Sequence, residues 1–278
     1  MQQSLPYQLS PKARPQHRTI QLSRHAWQWF ALPLSLIAIL LLWETIVVVG
    51  GYQAFILPSP SLVASRFIDA LGQGFAPNSL LSHSRATLTA ALSGFGIALA
   101  ISLVLGYILA KVPLLERVFA PILAATQAVP IVALAPLIIL WVGADLRSKI
   151  LVAALVTFFP ILSSTIVALR GVPKELREMA QISGANSWQT LIAIEAPLAL
   201  PVFFGGFKAG LALATTGAVV GEFVAGREGL GALINIARGL FDTPLMFVAL
   251  LMLAISTLLL YLVATLLERL LIRWEPTN

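Results

Sequence analysis

The sequence predicts an all-α membrane protein with six transmembrane helices, and three observations carry that prediction. Hydrophobic residues fill 58% of the 278 positions and charged residues only 11%, with a mean hydropathy of +0.90, too apolar to keep a soluble globule's surface wet. Crossing ~30 Å of hydrocarbon takes about 20 apolar helical residues. Six stretches qualify: 28–50, 86–110, 118–142, 150–169, 198–221 and 244–267. The basic residues sort with that pattern: eleven of the 18 Lys and Arg residues fall in the leader and alternate connections after it, six fall in the other connections, and Lys208 lies within a span. By the positive-inside rule both termini are cytoplasmic.

The elements follow in order. Residues 1–27 carry Lys12, Arg14, Arg18 and Arg24 together with Pro11 and Pro15, the composition of a flexible, basic cytoplasmic tail. The apolar run after them is too long for a signal-peptide core and is not followed by a small-x-small cleavage site, so it reads as the first span. Residues 28–278 then form one transmembrane domain. After the first span, "ILPSPSLV" (Ile56 to Val63) contains Pro58 and Pro60, which forbid a continuous helix and favour extended chain. The following "SLVASRFIDAL" has apolar residues at helical spacing and predicts a short surface helix. Spans two, three, four and six contain no charged residue. Pro121, Pro130, Pro136 and Pro160 predict kinks in spans three and four, tolerated where helices line a cavity. Gly206-x-x-x-Gly210 in the fifth span predicts close helix packing, and Phe158 and Phe159 read as bundle core. No inverted repeat of the kind that marks many secondary transporters is evident.

The formal charge of +6 does not indicate nucleic-acid binding, because the basic residues are scattered between apolar runs and form no stripe with interleaved aromatics. Cysteine is absent, so disulfides, thiol chemistry and Cys/His zinc sites are excluded. His17, His25 and His83 fall outside the six spans, where no chemical role is expected of them.

One connection is unlike the rest. Between spans four and five, residues 173–197 read "PKELREMAQISGANSWQTLIAIEAP". Pro173 suits a first helical turn, and Glu175 and Glu178 put negative charge where the helix dipole favours it. Leu176, Met179 and Ala180 fall at i, i+3 and i+4. Gly184 supplies a positive φ to end that helix, Asn186 or Ser187 caps a second, and Trp188, Leu191 and Ile192 make another apolar stripe. Pro197 and Pro201 mark re-entry into the bilayer. The expectation is two short helices with a bend between them, presenting apolar knobs. On spacing alone, an amphipathic helix lying in the headgroups fits as well.

The segment resembles the EAA loop of ATP-binding-cassette importer permeases. The pattern of that family is Glu-Ala-Ala, three residues, Gly, nine residues, Ile, one residue, Leu-Pro; here it reads Glu178-Met179-Ala180, Gly184, Ile194 and Ala196-Pro197. Met179 and Ala196 depart from it but stay apolar. The likeness runs from about Trp43 to Trp274 through "LPSPSLV", "AVPIVALAPLIILWVG", "FFPILSSTIVALRGVPKELREMAQISGA", "GAVVGEFVAGREGLGALI" and "LLERLLIRW". These are similar to the branch serving sulfonates, taurine, nitrate, bicarbonate, pyrimidine vitamin precursors and riboflavin.

The resemblance implies a type I importer permease of the plasma membrane whose cytoplasmic coupling helix sits in a cleft of a separate ATPase. Glu178, Met179, Ala180, Gly184, Trp188, Leu191, Ile194 and Pro197 are the coupling residues it points to. The implied partners are the ATPase, an extracytoplasmic substrate-binding protein, a second permease copy forming a homodimer, and membrane lipid. The sequence has no G-x-x-x-x-G-K-[ST] phosphate cradle, so no cofactor is expected in this chain, and ATP and magnesium belong to the partner. The stretch Gly217 to Leu250 looks closer to riboflavin and hydroxymethylpyrimidine permeases than to those for alkanesulfonates, and the spans lack an arginine cluster for an oxyanion. A sulfonate, taurine, nitrate or bicarbonate importer is the runner-up.

Three ionisable residues are costly where they stand. Lys208 either lines the translocation path or snorkels to the interface. Glu44 reads as a structural hydrogen bond or ion pair, with the path as the alternative. Glu222 either lines a cavity or is a plain interfacial glutamate. These do not make the intramembrane carboxylate relay of an ion-gradient-driven secondary transporter, and no acid-base or nucleophile constellation marks an intramembrane enzyme.

Overall fold

The structure is a computed structural model that describes residues 22–272; residues 1–21 and 273–278, with Lys12, Arg14, His17, Arg18, Arg273 and Trp274 among them, lie outside the described residues. The chain divides into two units, Met1–Gly51 and Tyr52–Asn278. Among its described residues the first holds one helix, α1 (Leu22–Gly50), whose stretch Pro33–Gly50 is apolar enough to cross a membrane. The helix begins ahead of the expected tail boundary at residue 27. Apolarity marks the part that suits hydrocarbon and does not mark where the backbone starts to coil.

The second unit opens with α2 (Pro60–Gly72), capped by the Ser59 hydroxyl, which accepts from the Leu62 amide at 3.3 Å, with Pro60 in the first turn. This is the expected surface helix. Next come α3 (Leu80–Lys111), α4 (Pro113–Ala128), α5 (Ile131–Val142) and α6 (Leu146–Arg170). A short α7 (Lys174–Ile182) precedes α8 (Ser187–Thr190), a π turn (Leu191–Glu195) and α9 (Ala196–Ala225). The last helices among the described residues are α10 (Leu230–Gly239) and α11 (Thr243–Leu271). Among the described residues, five helical stretches are long and apolar enough to span a membrane, six if α4 and α5 count as one.

Two expectations need correction. The third span, 118–142, is not continuous: α4 and α5 meet at 91° across Val129 and Pro130. Proline lacks the amide the helix needs and pushes the residue before it out of the α region, and Val129 is extended, with φ −82° and ψ 118°. The fifth span does not start afresh at Pro197, because Ser187–Val224 is a single helical stretch. The π turn explains how the proline is accommodated. Its wider ladder, in which the Ala196 amide reaches back to the Leu191 carbonyl, relieves the crowding a proline creates against the carbonyl four residues earlier.

The core lies where α6 packs between α3 and α9. Alanines dominate it (Ala90, Ala91, Ala153, Ala214, Ala218), joined by Phe95, Ile161 and Leu211. Lipid offers no hydrophobic drive for helices to associate, so close backbone approach has to supply the packing energy. Glycines permit it. A Cβ at Gly94 would lie 2.6 Å from the Ala153 side chain and 2.7 Å from the Ile150 carbonyl oxygen, and Gly206 and Gly210 face α6 against Ser164 and Ile161. A second cluster joins α2, α10 and α11 through Val63, Leu230, Leu233 and Val248.

Gly94→Val is expected to destabilise the detergent-solubilised protein by roughly 1–3 kcal/mol or more through overpacking, seen as a lowered thermal midpoint. Gly96→Val, where a Cβ meets nothing within 4 Å, is the matched control and is expected to leave the midpoint in place.

Candidate functional site

The site is built from α7 and the turn after it. Two of the ordinary devices for ending and starting a helix are found here. Gly184 takes φ +78°, and the Ala185 amide donates to the Ala180 carbonyl at 3.0 Å while the Gly184 amide donates to Gln181 at 3.0 Å, a Schellman closure. Asn186 then caps the next helix reciprocally: its side chain accepts from the Gln189 amide at 2.8 Å, and the Gln189 side chain accepts from the Asn186 amide at 2.9 Å.

The apolar residues divide between two faces. Ala180 is buried, and Leu191 and Ile194 pack on a cluster of Ala168, Leu169, Val172 and Ala199. Met179, Ile182, Trp188 and Ile192 point away, with Ile182 88% and Trp188 68% exposed. The expected stripe of Leu176, Met179 and Ala180 is therefore split, because adjacent helical residues straddle the edge of a face: Ala180 is buried and Leu176 half-buried, while Met179 turns outward. Ile182 belongs with the outward set. Glu178 is exposed and pairs with Lys174 one turn earlier at 3.0 Å, and Pro197 is half-buried within α9.

The charged groups behind this surface were not evident from the sequence. Glu195, the last residue of the π turn, is completely buried. Its Oε1 receives both Lys111 at the end of α3 and Arg177 of α7, the latter Nε at 3.1 Å. Arg177 also donates to the Leu169 carbonyl near the C-terminus of α6, and Arg170 pairs with Glu116 of α4. The one acidic residue in an otherwise apolar "LIAIEAPLAL" was the available signal that a buried partner must exist.

The other ionisable candidates are also held by protein. Lys208 pairs with Glu268 of α11 at 2.8 Å and lies 5.7 Å from the centre of the Tyr261 ring. At the far end of α9, Glu222 is fully buried and accepts from the Thr87 hydroxyl at 3.0 Å and the Gly231 amide at 2.9 Å. His83, expected outside the spans, sits in the first turn of α3 and is hydrogen-bonded through Nδ1 to Gly229 at 3.0 Å. Glu44 is half-buried on α1. Among the described residues, no group of three or more His, Asp or Glu side chains converges as metal ligands would.

Residues 98–274 match the family described as binding-protein-dependent transport system inner membrane component. The chain belongs to this family. It is 62% identical over 278 residues, the whole of both chains, to the riboflavin transport system permease protein RibX of Chloroflexus aurantiacus. It is 32% identical to the formylaminopyrimidine transport permease protein ThiX of Halalkalibacterium halodurans, over 91% of this chain and 98% of that one. It is 31% identical to the putative aliphatic sulfonates transport permease protein SsuC of Bacillus subtilis, over 91% and 89%. The chain is thus a multi-pass inner-membrane permease subunit of an ATP-binding-cassette importer. It is not an enzyme itself: a separate subunit hydrolyses ATP, and a substrate-binding protein delivers the solute.

Within this permease, Glu268→Gln is expected to lower stability in detergent by about 1–3 kcal/mol, because it leaves the Lys208 ammonium without its counter-charge. The double variant Lys208→Met/Glu268→Leu is expected to recover most of the loss, read as the thermal midpoint.

Proposed function

We propose that this permease imports riboflavin across the plasma membrane, as half of a homodimer with both termini in the cytoplasm. The observation that carries the substrate is the 62% identity, over the whole of both chains, to a permease named for riboflavin transport. Relatives named for a formylaminopyrimidine, for aliphatic sulfonates and for taurine stand at 32%, 31% and 28%. A formylaminopyrimidine or related vitamin precursor is the second reading.

The chemistry asked of this chain is conduction. ATP and magnesium bind in the partner ATPase, and closure of two ATPases rocks the two permeases between inward-open and outward-open states. The loop 173–197 is the socket. Its outward set of Met179, Ile182, Trp188 and Ile192 offers the ATPase an apolar docking surface, Glu178 lies beside it, and Gly184, Leu191, Ile194 and Pro197 hold its shape. Lys208 and Glu222 are assigned to holding the spans together, on the strength of the Lys208–Glu268 ion pair and the hydrogen bond from Thr87 to the buried Glu222, and Glu44 to a structural hydrogen bond or ion pair.

The direct test is ATPase stimulation in proteoliposomes holding the permease, its ATPase and its binding protein, with riboflavin, a hydroxymethylpyrimidine, taurine and nitrate compared. Riboflavin alone is expected to stimulate; stimulation by taurine or nitrate alone would overturn the substrate. Gly184→Pro, which cannot reach φ +78°, is expected to leave the chain in the membrane and abolish co-purification with the ATPase. Unchanged co-purification would sink the docking role of the loop.

A further inference from the structure

Docking an ATPase on α7 accomplishes nothing unless movement of α7 is passed to the spans. The contact that qualifies is the one at Glu195. This carboxylate is fully buried; its Oε1 accepts from Lys111 and forms an ion pair with Arg177, whose Nε lies 3.1 Å away without a hydrogen bond, while Oε2 has no hydrogen-bond partner. Burying an ionised carboxylate is costly unless its counter-charges are in place. Lys111 is the last residue of α3 and Arg177 lies in α7, so the cost is offset only while α3, α7 and the π turn keep their arrangement. Moving α7 alone would leave Lys111 as the sole counter-charge on the buried carboxylate.

The guanidinium extends this joint. Arg177 donates to the Leu169 carbonyl as well, so one side chain of α7 holds the C-terminal end of α6 and the start of α9. Beyond the π turn, α9 runs unbroken to Ala225, and its other buried carboxylate, Glu222, is bound to Thr87 of α3 and to the amide of Gly231 in α10. The helices α3 and α9 are therefore fastened to each other at both ends, and α7 joins that pair at Glu195.

We propose that Glu195, with Lys111 and Arg177, is the joint that passes displacement of α7 to α3 and α9, a set of positioning residues for transport. The proposal rests on the coupling-loop reading above. It goes beyond it because Glu195, being buried, touches neither the ATPase nor the solute.

The experiment uses the full complex in proteoliposomes and reads three quantities: ATPase co-purified with the permease, stimulation of ATP hydrolysis by riboflavin-loaded binding protein, and riboflavin imported per ATP hydrolysed. Glu195→Gln keeps the side-chain shape and removes the charge. Co-purification is expected to be unchanged, while import per ATP falls by about ten-fold. Arg177→Gln is expected to show a similar fall, the double variant no further one, and Glu195→Asp a partial recovery, since residues acting through one contact are not additive. Unchanged import per ATP in an assembled Glu195→Gln complex would overturn the proposal. So would loss of co-purification, which would make Glu195 a support for the docking surface. Should Glu195→Gln fail to accumulate, Lys111→Gln answers with the same outcomes, because Lys111 sits at the rim, 36% exposed. A wild-type chain that binds no ATPase, or imports no riboflavin, fails the proposed function instead and is recognised before any variant is made.

Discussion

The absence of water in the bilayer interior governs this molecule: a polar group there must find its partner within the protein. The backbone meets that demand by coiling, and among the described residues the spans are helical apart from the break at Val129 and Pro130. The same demand decides where ionisable side chains can sit. Lys208 is matched by Glu268 and Glu222 by Thr87 and the first turn of α10. At the α7 end, Glu195 is matched by Lys111 and Arg177. Each of these is a contact between elements, so the points where charge is buried are also the points where helices are held in register.

Packing fills in what the charges leave. Because lipid tails are as apolar as leucine, α3, α6 and α9 adhere through surfaces made of alanine and glycine, which let backbones approach and gain dispersion contact. Large apolar residues such as Leu140 and Val104 are left facing outward. Proline has the opposite effect on the two spans it interrupts. At Pro130 it ends one helix and turns the next, while at Pro197 the π turn absorbs it and the helix continues. That continuity bears on the docking role proposed for the loop, since one helical stretch then runs from Ser187 to Val224.

The relatives show how far this framework is shared. Permeases named for riboflavin, a formylaminopyrimidine and aliphatic sulfonates align along most of the chain at identities from 62% down to 31%. Relatives that share one scaffold while being named for different solutes show that fold alone does not choose the solute.

The features the sequence determined by itself are those written in neighbouring residues. Apolar runs marked α3, α6 and α11 closely; Pro60 after Ser59 marked α2; Gly184 and Asn186 marked the turn after α7; the motif around Glu178 marked the family. Such signals depend on local backbone preference and on hydropathy over a few turns, so one window suffices to read them. The tertiary structure decided the rest. Glu195 meets Lys111 across 84 positions, Lys208 meets Glu268 across 60, and Glu222 meets Thr87 across 135. No local pattern encodes which distant group approaches a buried charge, because that depends on how α3, α6, α9 and α11 settle against one another. The same holds for the prolines: Pro130 and Pro197 have the same intrinsic effect on a helix, and only the surrounding packing and the room for a π turn decided that one would break its span and the other would not.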